Sequence, residues 1–237
     1  MSYSIDSSTS NCYEGTTCLI NKWGITDENK LKEFEGAVTF AKASELELNP
    51  ISDTFDVEHY KLIHKYLFED IYDWAGEYRT VNISKKGTKF ASADQISDLM
   101  NACFMRLKDN NYFQNKSFDE FVDNIVDFYS VTNMIHPFRE GNGRTQRLFI
   151  SQLIRFNNYD IDFSSIDKDE LMIATIHAAN GIVDYLKDVF YNNIKKSNNF
   201  LPAHSSRLIF CFILLIPILS ATIASVQRVR YESGRRN

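Results

Sequence analysis

Apolar residues spaced three and four apart recur in four long stretches of this chain, and that period commits most of it to amphipathic helices. The first stretch carries Leu31, Phe34, Val38 and Ala41 between about Thr26 and Leu46. Thr26 or Asp27 stands where an N-cap belongs, and Asn49-Pro50 closes the run. The second runs from about Val57 to Trp74, with Tyr60, Ile63, Leu67 and Ile71 on one face and Gly76 in the place of a C-cap glycine. Behind Ser92, a third helix is marked by Ile96, Leu99, Met100, Cys103 and Leu107. Ser117 opens a fourth, with Asp119 and Glu120 in its first turn and Phe118, Phe121, Ile125, Phe128 and Tyr129 as its stripe. Further helix is expected from Gly143 to about Phe156 and across Asp167 to Ile194. Only Arg79 to Ala91 reads otherwise: Val81 and Ile83 alternate with polar neighbours ahead of Lys85-Lys86-Gly87, the pattern of a short hairpin. The expected fold class is all-α, a helical bundle with one small β-hairpin.

Length and charge narrow the task. A chain of 237 residues, 44% hydrophobic, has enough apolar surface for one sizeable core. A formal charge of −5 provides no whole-chain basic field, so direct nucleic-acid binding is not expected. Cys12, Cys18, Cys103 and Cys211 form no CxxC pair, which fits free thiols in a reducing, cytoplasmic setting. Residues 1–20 are polar and expected to lie loosely on the surface, without a signal peptide. Residues 200–237 form a linker and an apolar segment: Leu208 to Val226 is nineteen residues without a charge, followed by Arg228, Arg230, Arg235 and Arg236. Such a run is just long enough for a membrane anchor. It is equally the mark of a gene end with a different origin, since the lysines of the body give way there to arginines.

The chemistry is concentrated in His136-Pro137-Phe138-Arg139-Glu140-Gly141-Asn142-Gly143-Arg144-Thr145-Gln146-Arg147. Gly141-Asn142-Gly143 places unpartnered backbone N–H groups at a helix start, where the helix dipole is positive, and so forms an anion cradle. Arg144 and Arg147 are three apart and share a helix face, each able to fork onto phosphate oxygens. Glu140 is placed to hold Mg²⁺ beside those phosphates. A neutral His136 can take the proton of an attacking hydroxyl, while Phe138 anchors the loop in the core.

The string is similar to the signature of the Fic family (filamentation induced by cyclic AMP), HxFx[D/E]GNGRxxR, and meets every defined position. The resemblance covers residues 21–199 and includes Ile63 to Gly76 and Asn82-Ile83-Ser84-Lys85. It implies a helical bundle with a β-hairpin flap and the transfer of AMP from ATP to a Ser, Thr or Tyr hydroxyl of a target protein. It implies His136 as general base and Glu140 as the Mg²⁺ ligand. Gly141, Asn142 and Gly143 would meet the α-phosphate, and Arg144 and Arg147 the outer two. Ile83 and Ser84 belong to the flap, which would cover the nucleotide and register the target by strand addition. Members running other transfers depart at Gly143 or Arg147, and this chain keeps both.

Many members resembling this chain are silenced by a helix bearing [S/T]xxxE[G/N], whose Glu pairs with the second arginine. Ser10 to Gly15 matches those letters, but in a segment with weak helix character. The expectation is instead a toxin controlled by a separate small antitoxin that supplies the glutamate. The competing reading is a catalytically idle nucleotide-binding or membrane-tethered interaction module. Intact His136 and Glu140 argue against it.

Overall fold

The Asp27 carboxylate accepts the Lys30 N–H and starts helix α1 (Glu28–Leu48). The computed structural model describes residues 4–5, 11–85 and 87–197. The chain divides into two units, Met1–Asn198 and Asn199–Asn237. The apolar run 208–226 and Cys211 lie outside the described residues, among which no helix is long and apolar enough to cross a membrane.

After α1 come α2 (Val57–Phe68), α3 (Ile96–Asp109), α4 (Phe118–Ile135), α5 (Asn142–Phe156), α6 (Lys168–Ala179) and α7 (Asp184–Asn193). The bundle with a small hairpin is therefore as expected. Helix α2 stops at Phe68 rather than Trp74, because the Ile71 and Tyr72 amides both turn back onto the Phe68 carbonyl. Gly76 is consequently no C-cap; its N–H donates to His64 Nδ1 at 2.8 Å. A 3-10 turn, Ala93–Gln95, separates Ser92 from α3, and the Ser92 side chain makes no capping bond. Ser117 does make the full capping box with Glu120.

Strands β2 (Ile83–Lys85) and β3 (Thr88–Lys89) form the hairpin, with Gly87 at φ +82° in its turn. A strand the sequence did not signal, β1 (Ser4–Ile5), pairs antiparallel with β2, Ile5 facing Ile83. A second small sheet joins β4 (Tyr159–Asp160) to β5 (Lys195–Lys196).

Helix α5 is the central element. Leu148, Phe149, Ile150, Leu153 and Ile154 are all buried, and so are the polar Ser151 and Gln152, so its second half is enclosed on nearly every side. It packs against α1, α2 and α4, while α7 packs on α4 and α6. Phe149 is fully buried and touches the rings of Phe55, Tyr60, Phe104 and Phe128 at 5.3–5.8 Å. Burial of one such ring stabilises the fold by about 1.5–3 kcal/mol. This packing fixes the α5 N-terminus relative to the α4 C-terminus, on either side of the loop 136–141.

Candidate active site

Helix α4 ends at His136, whose N–H donates to Thr132 O while its own backbone takes the left-handed conformation, φ 49° and ψ 62°. Pro137 keeps His136 from continuing the helix. A left-handed residue other than glycine costs about 1–3 kcal/mol and persists only where its surroundings hold it. The imidazole is oriented by Nδ1, which lies 3.0 Å from the Asn133 carbonyl. A carbonyl only accepts, so Nδ1 carries the proton and Nε2 the lone pair. Burial pushes the His136 pKa down to about 3, opposed by the Asn133 bond and helped by the nearby Lys85 and Arg79 charges. The ring is thus neutral at physiological pH. Phe90, at the end of the hairpin, stacks on it at 3.8 Å between centroids.

The loop from Pro137 to Gly141 is closed by Asn142. Its side chain accepts the Phe138 N–H at 2.8 Å and donates to the Phe138 carbonyl at 2.7 Å. The side chain of Asn142 is therefore a brace for the loop. Phe138 is fully buried and stacks on His64 at 3.7 Å, as its anchoring role requires. His64 bridges the loop to the chain after α2, accepting from Gly76 and donating through Nε2 to the Glu140 carbonyl at 3.0 Å. Desolvation lowers its pKa to about 3 as well. Gly141, at φ +80°, has the Phe68 ring 2.2 Å from where a Cβ would stand, so no other residue fits.

From Gly141 the chain enters α5, and the Thr145 N–H is the first to bond back, to the Gly141 carbonyl. The amides of Asn142, Gly143 and Arg144 precede that bond and form the cradle. Gly143 lacks the Cβ that would stand 3.1 Å from Arg147 Nη1, so the Arg147 guanidinium lies close over this helix start. Among the described residues no carboxylate pairs with Arg147.

Arg144 is held differently. Its Nη2 forms an ion pair with Glu35 on α1 and contacts Glu140 at 3.3 Å, its Nη1 donates to Thr39 Oγ1 at 3.1 Å, and its guanidinium lies 4.8 Å over the Phe68 ring. Tyr72 donates to the other Glu35 oxygen at 2.5 Å. Burial raises the Glu35 pKa above the usual carboxylate range, and the Arg144 charge beside it works against that rise. The Glu140 carboxylate also accepts the Gly141 N–H at 2.9 Å. The structure thus brings His136, Glu140, Gly141, Asn142, Gly143, Arg144 and Arg147 into one loop and helix start. Ile83 is buried and Ser84 half-buried in β2, where both edges of the strand are paired.

Glu35 and Tyr72 have no role in the sequence reading of the site, and Arg79 and Phe90 enter it only as part of the hairpin stretch Arg79 to Ala91. Glu35 carried a signal: Leu31, Glu35 and Thr39 are four apart and form the buried row of α1, whereas Phe34, Val38 and Ala41 are only half-buried. Glu14 and Gly15, in the stretch that matched the inhibitory letters, lie exposed in a turn within the loop closed by the Cys12–Leu19 bridge; Ser10 lies outside the described residues.

The Fic/DOC family profile matches residues 54–154, which contain this loop, α4 and all but the last two residues of α5. The probable protein adenylyltransferase y4lH of Sinorhizobium fredii is 34% identical over 171 residues, 72% of this chain and 88% of that protein. The chain belongs to the Fic/DOC family. Within it, the chain groups with the protein adenylyltransferases. Protein adenylyltransferase VbhT of Bartonella schoenbuchensis is 36% identical over 179 residues, 76% of this chain; that relative is longer, and the chain spans 37% of it. The solved structure of the Bartonella tribocorum effector BepC with bound AMPPNP superposes with a TM-score of 0.74 at 31% identity, covering 79% of this chain and 97% of that one.

Proposed function

We propose that residues 21–199 transfer AMP from ATP to a Ser, Thr or Tyr hydroxyl of a target protein. The observation that carries this reading is a neutral imidazole with its lone pair on Nε2, next to a helix start that offers backbone amides and Arg147. The BepC structure holds AMPPNP, which supports nucleotide binding by this fold. Nε2 of His136 takes the proton as the target oxygen attacks the α-phosphorus; the bond from that phosphorus to the bridging oxygen breaks, and pyrophosphate leaves. The amides of Asn142 and Gly143 stabilise the charge on the transferred group, and Arg144 and Arg147 hold the outer phosphates. Glu35 and Phe68 fix the position of Arg144. The Glu140 carboxylate lies beside the helix start that offers the amides, a donor that suits Mg²⁺ of the kind bound by one carboxylate, phosphates and water. Glu140 would hold it, and the ion would neutralise phosphate charge.

Control by a separate antitoxin is part of this proposal. Arg147 has no carboxylate partner among the described residues, and Glu35 engages the first arginine rather than the second. A glutamate from another protein would complete that pair.

The test is incorporation of label from α-labelled ATP into protein in a lysate. His136→Ala is expected to lower it by about 10²–10⁴. Near-normal incorporation by that variant removes the assigned base, and incorporation of γ-label in its place would make the chain a kinase.

A further inference from the structure

The guanidinium of Arg79 reaches four backbone carbonyls in three separate segments. Nε donates to His136 O at 2.9 Å and Nη2 to Ile135 O at 3.2 Å, both at the α4 C-terminus. Nη1 donates to Val81 O at 2.7 Å, where the chain enters the hairpin, and Nη2 also donates to Ala91 O at 2.5 Å, where it leaves. The residue is 4% exposed. Two backbone bonds run beside it: Arg79 N–H to Pro137 O at 2.9 Å, and Ala91 N–H to Met134 O at 3.0 Å.

We propose that Arg79 is a positioning residue for transfer, holding the left-handed His136 backbone in place and tying it to both ends of the flap hairpin. The inference rests on His136 being the base. A cation at a helix C-terminus satisfies carbonyls that lack intrahelical partners and matches the dipole. Here the same cation also bonds the two feet of β2 and β3, so the hairpin cannot move as a body without disturbing the His136 carbonyl. The bond pattern needs a fork: donors leave the guanidinium in several fixed directions, whereas a lysine ammonium offers three from one point. The imidazole plane is set by the backbone that carries it and by Asn133 on the same helix end. The Arg79 charge additionally helps burial to keep that imidazole neutral.

Arg79→Lys keeps the charge and removes the fork. Expected for the full chain are ATP affinity within about threefold of the parent by titration and α-label incorporation slower by about 10²-fold, the cost of misplacing a reacting group by roughly 1 Å. Transfer within about threefold of the parent overturns the proposal. So does a parallel loss of ATP affinity and transfer, which marks general damage. Hydrogen exchange of the unmodified chain gives a second measurement that does not depend on the variant folding. The Ala91 and His136 amides are expected to exchange within about tenfold of each other as one unit. An unprotected Ala91 amide beside a protected His136 amide overturns the coupling. Failure of His136→Ala to lower transfer is a separate result and strikes the assignment of the base itself.

Discussion

Phe90 and His136 lie face to face, and that contact sets how the site responds to pH. The imidazole has a pKa of about 3 because it is buried, and the Phe90 ring is one wall of that burial. A base works when deprotonated, so the parent has no acid limb from His136 through the range near neutrality. Phe90→Ala admits water to the ring face and moves the pKa part-way back toward its ordinary 6.5. Incorporation by the variant is expected to fall as pH drops below the new value, approaching tenfold per unit, while the parent stays level. A pH–rate profile that is the same for both proteins would assign the dehydration of His136 to other walls. Glu35 shows a related effect at the phosphate side: one buried carboxylate, held by Tyr72 and Arg144, gives the first arginine a fixed place.

At the scale of elements, strand β1 occupies an edge of the flap. Ser4 and Ile5 pair with Ser84 and Ile83, so the β2 edge is taken by the chain's own N-terminal strand. A target that registers by strand addition at this edge must displace it. A two-residue strand contributes only a few backbone bonds, each worth about 0.5–1.5 kcal/mol net, so the competition is modest. Deleting residues 1–5 is expected to lower the target concentration needed for half-maximal labelling, by no more than about tenfold, with the requirement for ATP unchanged. Labelling that shows no change after the deletion would place the target at the β3 edge or away from the hairpin. The α4–loop–α5 unit behaves differently because it is braced from within, by Asn142 across Phe138 and by His64 beneath Glu140.

For the whole molecule, three buried histidines whose pKa values are lowered by burial, His59, His64 and His136, make stability depend on acid. His64 and His136 each have a folded pKa of about 3 against an ordinary value of 6.5. Between those values the unfolded chain binds protons that the folded chain does not, so stability is full above about pH 6.5 and is lost as pH falls toward 3. Urea midpoints measured at pH 7 and pH 4.5 are expected to differ clearly for the parent and less for His64→Gln, which has one fewer group to protonate. An equal difference in both proteins would show that carboxylates dominate the acid response. The features legible in the sequence are the local ones. The three- and four-residue period forms the helices, Asp27 and Ser117 cap them, Pro137 ends α4, and the glycines at 141 and 143 open the cradle. These depend on residues within a few positions of one another, so spacing alone specifies them. Tertiary structure decided what lies across the site from the loop. Glu35 meets Arg144 from 109 residues away, and Arg79 meets His136 from 57. In the sequence Arg79 is a charged residue indistinguishable from a surface one, and Glu35 shows no more than its four-residue spacing from Leu31 and Thr39, since only packing α1, α4 and α5 together removes the water that would otherwise be their partner.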